Sequence, residues 1–327
     1  MFWTGELIAR TAPVRRRVAP PPWASPLAGK ARAAYLGMAI GDALGASVEF
    51  MTPKEIQHQY GAHCEITGGG WLRLKAGQVT DDTTMALALG KAILSAGHVD
   101  ALAAATAFDN WMRGKPVDIG NTVRRNLIQF RKTGHPEAQP SEHDAGNGAA
   151  MRVLPVALAT YGQPAEQVIA ASRAQAHVTH HNALSDACCE TLIFMVQDFL
   201  AGQTADQVRS QRVVPLIEQF PIYAYDRKRS ENPSGYVVDT LHAVLQGFFA
   251  TDNFEDCLVD VVNRGGDADT TGAIVGLLAG AYYGYDAIPK RWLRALDEIT
   301  RLQCEKQAEA LIELSRGKPA QPADQTP

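Results

Sequence analysis

Long segments rich in alanine and leucine, separated by short stretches of glycine, proline, asparagine and aspartate, constrain this chain more than any other feature. Apolar residues recur near every 3.6 positions in MALALGKAILSAG (85–97) and DALAAATAFDNWM (100–112), the period of a helix with one buried face. Segments of this kind predict helices over 28–46, 83–96, 100–113, 120–132, 148–160 and 164–175. Others follow over 184–200, 204–219, 236–250, 254–263, 271–284 and 291–314. Strictly alternating runs of Val, Ile, Thr and Tyr, the signature of strands, are scarce. The pattern predicts an all-α, single-domain protein of many packed helices. With 46% hydrophobic and 20% charged residues among 327, a large core is within reach and general disorder is excluded.

Charge narrows the classes of function. Residues 1–30 hold five basic groups and one acid, a net +4, so the rest of a chain with net charge −4 sums to −8. An acidic body lacks the basic face that phosphate neutralisation requires, and nucleic-acid binding is not expected. The uncharged run between Asp269 and Asp286 is shorter than the roughly 20 residues of a membrane span, so no direct membrane insertion is expected. The Arg- and Pro-rich stretch 1–29 has no continuous apolar segment preceded by positive charge and reads as a disordered extension; 316–327 reads as a flexible tail. Five cysteines without C-x-x-C spacing point to reduced thiols and a cytoplasmic protein. No heptad seam or long edge strand is evident, so a monomer is expected.

Three predicted helix starts share an unusual composition: Thr80-Asp81-Asp82-Thr83-Thr84, Asp144-Ala-Gly-Asn147-Gly148 and Gly265-Gly-Asp267-Ala-Asp269-Thr270-Thr271. Capping explains one acid per helix, because a carboxylate suits the positive end of the dipole. It does not explain two, since the second adds only repulsion. If both paired sets face one cleft, the carboxylates require a cation or must take up protons. Oxygen donors without His or Cys favour Mg²⁺ or Mn²⁺ over zinc. Glu49, at a Gly-rich helix end, is a candidate fifth acid.

The DAGNG run places small residues at a predicted helix N-terminus, where a backbone can approach a phosphate; an ordinary turn is the competing reading. His177-Val-Thr-His180-His181 offers either a zinc site or, with no acid in helical register, one pocket histidine with exposed neighbours. Asp118, in a loop before a helix, is either a cap or a general acid or base. The basic loop 224–235 reads as an exposed connection, or as a contact for a protein substrate.

The segments GDALGASVEF, TGGGWLRLKAGQVTDDTTMALALG, PVDIGNT, DAGNGAAMR and NRGGDADTTGAIVGLLAGA occur in this order between about residues 30 and 315. Together they resemble the ADP-ribosylglycohydrolase family, and the pairing of TDDT with GGDADTTG is the specific element. The resemblance implies an orthogonal multi-helix bundle with a dinuclear metal cleft holding two Mn²⁺ or Mg²⁺ ions. It places the metal ligands at Glu49, Thr80, Asp81, Asp82, Asp267, Asp269 and Thr270. It implies catalytic roles for Asp118 and Asp81, with Asn121 beside the reacting ribose. Substrate contacts fall on Asp144, Gly146, Asn147, Gly148 and His180, and on Tyr236, which matches an aromatic packed on adenine.

The implied reaction is hydrolysis of the N-glycosidic bond between ADP-ribose and an arginine. The implied protein partner is ADP-ribosylated dinitrogenase reductase, with regulation and membrane association through a PII-type nitrogen-regulatory protein. Two alternatives remain open at this level: a hydrolase of serine-linked, nucleic-acid-linked or metabolite-linked ADP-ribose, and a non-catalytic ADP-ribose-binding protein.

Overall fold

Beyond its first turn the segment 268–283 is apolar on nearly every side, and its burial organises the molecule. The structure, a computed structural model, describes residues 25–226 and 228–317. The expectations for 1–24, Arg227 and 318–327 lie outside the described residues. The helices are α1 (Pro26–Gly45), α2 (Pro53–Tyr60), α3 (Asp81–Ala96), α4 (Ala101–Arg113) and α5 (Asn121–Thr133). They continue with α6 (Leu154–Ala159), α7 (Ala165–Ala176), α8 (Ala183–Leu200), α9 (Ala205–Val208) and α10 (Val214–Gln219). The last are α11 (Val237–Ala250), α12 (Phe254–Val262), α13 (Ala268–Tyr283), α14 (Lys290–Ala295) and α15 (Glu298–Ser315). No strand forms among the described residues; only isolated bridges join Gly69 to Leu74 and Gly146 to Tyr236. The all-α expectation is borne out.

The central pair is α1 and α13. Nearly every residue of both is buried, including Ala33, Leu36, Ile40 and Leu44 on α1 and Ile274, Leu277 and Leu278 on α13. Helices so uniformly apolar belong in the middle of a fold. They run antiparallel at backbone contact. A methyl group on Gly41 would lie 1.9 Å from the Gly272 carbonyl oxygen, one on Gly37 2.2 Å from that of Gly276, and one on Gly45 2.1 Å from that of Ala268. Small residues every fourth position on both helices make this approach possible, as in close helix pairs generally. Around the pair, α15 packs on α1 while α8, α11 and α12 pack on α13. The C-terminal end of α1 thereby lies against the N-terminus of α13.

Several boundaries differ from those expected, each for a local reason. Helix α1 starts at Pro26 because Ser25 caps it, accepting from the Ala28 N–H at 3.2 Å, so residues 25–29 belong to the folded body. Helix α2 is additional to the expected helices; it is short, buries only Ile56 and is set by a capping box between Thr52 and Glu55. The single helix expected over 148–160 is a three-residue 3₁₀ turn, Ala150–Arg152, followed by α6, with Pro155 in the first turn of the latter. Over 204–219 a π turn, Arg209–Val213, precedes Pro215, whose missing N–H breaks the i→i−4 ladder. The expected 291–314 helix divides at Leu296, and Asp297 caps α15 through Thr300 N–H at 2.9 Å.

Overpacking the central crossing has no cheap relaxation, because the obstructing atoms are backbone. Gly41→Val is expected to lower unfolding free energy by roughly 3 kcal/mol, measured by urea denaturation. A loss under about 1 kcal/mol would show that the helices are not held at backbone contact.

Candidate metal centre and substrate cleft

The crossing delivers two acid-bearing segments to one place. Glu49 follows the C-terminal end of α1, Asp267 precedes α13 and Asp269 lies in its first turn. One carboxylate oxygen from each of these three lies within 4.8 Å of the others. From the other side, the start of α3 brings Thr80, Asp81 and Asp82, all buried. Asp82 Oδ2 accepts from Thr80 Oγ1 at 3.2 Å and from Thr270 Oγ1 at 3.4 Å, joining the early and late acid sets directly. Its Oδ1 is buried without a hydrogen-bond partner. Capping does not account for these groups: neither Thr80 nor Asp267 makes a side-chain cap bond, and the residue preceding α5 is Gly120, not Asp118.

Burial and mutual repulsion favour the neutral forms. Burial, with the charges of Asp267, Asp118 and Asp81, pushes Glu49 up to about 8, against the opposing hydrogen bond from Trp71. Asp81 is pushed up to about 7 by burial and then by Asp118 and Asp42. Asp82 and Asp269 are raised well above the usual carboxylate range, again chiefly by burial. An orphaned buried oxygen and a set of proton-retaining carboxylates are the chemistry expected of hard-cation ligands. The donors present therefore fit divalent ions of the Mg²⁺ and Mn²⁺ type.

Two residues outside the expected set hold this arrangement. Asp42, fully buried in α1, accepts from Thr80 N–H at 3.0 Å, Thr83 N–H at 3.1 Å and Thr83 Oγ1 at 2.6 Å, so it anchors the first turn of α3. Burial pushes it up to about 6 while these bonds oppose the rise. A lone aspartate within AYLGMAIGDALG was the available signal. Trp71 donates its indole N–H to Glu49 Oε2 at 2.6 Å. Its signal was an aromatic directly after the Gly68–Gly70 run. Beside this pair opens a cleft of about 740 Å³, lined by Glu49, Phe50, Lys54 and Trp71 among others.

The substrate-side residues assemble around the DAGNG run. This run does not open an α-helix; it is a turn stitched to residues 235–237, with Asn147 N–H donating to Gly235 O at 3.0 Å and Val237 N–H to Ala145 O at 2.9 Å. Tyr236 is thus brought beside Gly146. The space in front of Gly146 and Gly148 is taken by the His180 ring. Asn147 spends its amide N–H groups on Asp267 Oδ2 at 2.6 Å and Thr240 Oγ1 at 2.9 Å. Asp144 pairs with Arg125, so its carboxylate positions a cation. Loop 224–235 is exposed over most of its described length, as expected, and its second half is also tied to the site and to α12: Pro233 O accepts from Asp267 N–H at 2.8 Å, while Arg229 pairs with Asp260 at 2.7 Å. His177 and His181 are half-buried and stacked at 3.7 Å, with His177 on Asp186 at 3.0 Å, where exposed side chains were expected.

Asp118 is half-buried and near enough for its charge to raise both Glu49 and Asp81. Its Oδ1 accepts from Ile119 N–H at 2.7 Å. Asn121 is exposed at the first position of α5.

The ADP-ribosylglycohydrolase family model matches residues 24–321. The ADP-ribosyl-[dinitrogen reductase] glycohydrolase of Rhodospirillum rubrum is 48% identical over 88% of this chain and 96% of its own. The ADP-ribosylarginine hydrolase Tri1 of Serratia proteamaculans is 37% identical over 84% of this chain and 76% of its own. A solved structure, an ADP-ribosylglycohydrolase-related protein complex, superposes with TM-score 0.79 at 35% identity, covering 88% of this chain and 99% of that one.

Carboxylates whose folded pKa exceeds the unfolded value favour the fold at acid pH and lose that contribution as pH rises through the folded value. For the chelated protein, stability is expected to fall as pH rises from about 4 through 8, given values of about 6 to 8 for Asp42, Asp81 and Glu49. Mn²⁺ is expected to raise Tm more at pH 8 than at pH 5. Thermal denaturation across this range checks both; an equal Mn²⁺ effect at the two pH values would remove the carboxylates from the binding reaction.

Proposed function

Because this chain belongs to the ADP-ribosylglycohydrolase family, we propose that it hydrolyses the N-glycosidic bond between ADP-ribose and an arginine of dinitrogenase reductase, the substrate named for its Rhodospirillum rubrum relative. The observation carrying the reading is the hydrogen-bonded junction of Asp82 with Thr80 and Thr270, which makes one site from residues nearly 190 positions apart in sequence (|i−j| of 188). The ADP-ribosylarginine hydrolase activity named for the Tri1 relative supports the same linkage.

In this reading Glu49, Thr80, Asp81, Asp82, Asp267, Asp269 and Thr270 hold two Mn²⁺ or Mg²⁺ ions. When bound, such ions supply charge stabilisation and a template for the ribose. The chain's own residues do the rest. Cleavage builds positive charge on the sugar, and the departing guanidine needs a proton. Asp118, with Oδ1 fixed by its neighbour's N–H and Oδ2 facing no partner among the described residues, manages that proton next to Asp81. Asn121 follows it at the rim and orients the ribose. Gly146, Gly148 and Tyr236 line the nucleotide, while Asp144 and Asn147 brace that wall through Arg125 and Asp267. No described helix is long and apolar enough to cross a membrane. The reading takes the enzyme to be a cytoplasmic monomer whose membrane association and regulation pass through a PII-type protein.

Release of ADP-ribose from arginine-modified and serine-modified protein, with Mn²⁺ and after chelation, tests the proposal. Metal-dependent release from arginine is expected; release from serine alone would replace the substrate class. Asp118→Asn is expected to lower kcat by roughly 10²–10⁴-fold with little change in KM, and a loss under about tenfold would take Asp118 out of proton transfer. Asp267→Asn and Asp269→Asn are expected to abolish Mn²⁺ binding in calorimetric titration along with turnover.

A further inference from the structure

His180 is buried behind the Asp144–Gly148 turn and touches it. A methyl group on Gly146 would lie 3.0 Å from His180 Nε2, and one on Gly148 2.8 Å from its Cε1. The other ring nitrogen, Nδ1, lies 2.8 Å from Thr179 Oγ1. That same oxygen lies 2.7 Å from Arg152 Nη2. Arg152 is 0% exposed. It also donates to Gln175 Oε1 at 2.8 Å and Gln175 O at 3.0 Å, and its guanidinium stacks 4.3 Å over the Phe108 ring. No carboxylate pairs with it among the described residues. A cation this deep is costly, and its placement calls for a task beyond packing.

The chemistry of the three groups settles where the protons sit. A guanidinium can only donate, so Thr179 Oγ1 accepts from Arg152. Burial, then the charges of Arg152 and Arg125, push His180 down to about 3 and keep its ring neutral. A neutral imidazole has one donor nitrogen and one acceptor. If Nδ1 carried the proton, the Thr179 hydroxyl would face two donors and its own hydrogen would have no acceptor, a costly buried orphan. Nδ1 therefore accepts from Thr179, and the proton resides on Nε2, facing the Gly146–Gly148 turn.

From this geometry we infer that Arg152 and Thr179 are positioning residues that lock His180 in its Nε2–H tautomer, a fixed donor aimed at an anionic ligand in the turn. The ligand part rests on the ADP-ribose reading above; the tautomer rests on the fold alone. Two features follow. The donor cannot act as a base, because its other nitrogen is already engaged. Its orientation is set before the ligand arrives, so its contribution appears in binding and not in the chemical step.

The test uses the full chain with ¹⁵N-labelled histidine. Two-bond proton–nitrogen correlation spectra report the tautomer, and calorimetry with ADP-ribose as the probe reports binding. Wild type is expected to show only Nε2–H. Thr179→Val keeps the shape, frees Nδ1 and is expected to mix the tautomers. ADP-ribose affinity should then fall about tenfold (~1.4 kcal/mol), and KM should rise in step, while kcat and Mn²⁺ affinity hold. Thr179→Ser should restore both readings. Arg152→Met should mix the tautomers as well; if it does not fold, the Thr179 pair carries the test. An Nδ1–H wild type, or a Thr179→Val protein with unchanged ADP-ribose affinity, overturns the inference. Failure of ADP-ribose to bind wild type removes the ligand assignment instead, and the spectra still decide the relay.

Discussion

Backbone contact between α1 and α13 is the constraint on which the rest of the molecule depends. Glycines every fourth residue on both helices remove the side chains that would hold the axes apart. The antiparallel direction then sets the C-terminal end of α1, with Asp42 and the nearby Glu49, against the start of α13, with Asp267 and Asp269. The N-terminus of α13 is the positive end of a helix dipole, which suits carboxylates. One packing choice thus decides both the core and the site.

Gathering five acids in one volume opposes folding, and the structure shows how the opposition is managed. Asp42 holds the first turn of α3 through backbone and hydroxyl donors, so the position of Asp81 and Asp82 does not depend on the acids attracting each other. Asn147 and Trp71 each place one N–H on an acid of the cluster. Burial and the neighbouring acids raise Glu49 and Asp81 above the usual carboxylate range, and each proton held there lowers the mutual repulsion. Arg152 adds a buried positive charge whose field reaches Asp81. Preorganisation of this kind exchanges stability for a site ready to bind charge.

On the substrate side the small residues have a packing role beside the one their pattern suggests. A Gly-rich run before a helix reads as a phosphate cradle. Here the helix is displaced by a 3₁₀ turn, and Gly146 and Gly148 make room for the His180 ring. Asp144 and Asn147, in the same run, serve as braces toward Arg125 and Asp267. The turn is held in place by residues 235–237, so α11 and the acid centre share one wall.

The all-α class, most helix positions and the paired acids were legible in the sequence, because 3.6-residue periodicity and unneeded carboxylates are local signals. The early breaks at Pro155, Pro215 and Asp297 were legible in principle, since each is a proline or a cap, yet continuous apolar runs obscured them. Asp42, Trp71, Arg152 and Thr179 were not legible as a set. Their roles come from partners such as Glu49, Thr83 and each other, 22 to 41 residues away, and one aspartate in an apolar helix or one aromatic after glycines does not name its partner. What the sequence alone determined is which segments become helices and which carry surplus charge, because both follow from neighbours along the chain. Only tertiary structure decided that the charges meet and which nitrogen of His180 holds a proton, because repulsion, desolvation and hydrogen-bond direction are properties of groups brought together in space.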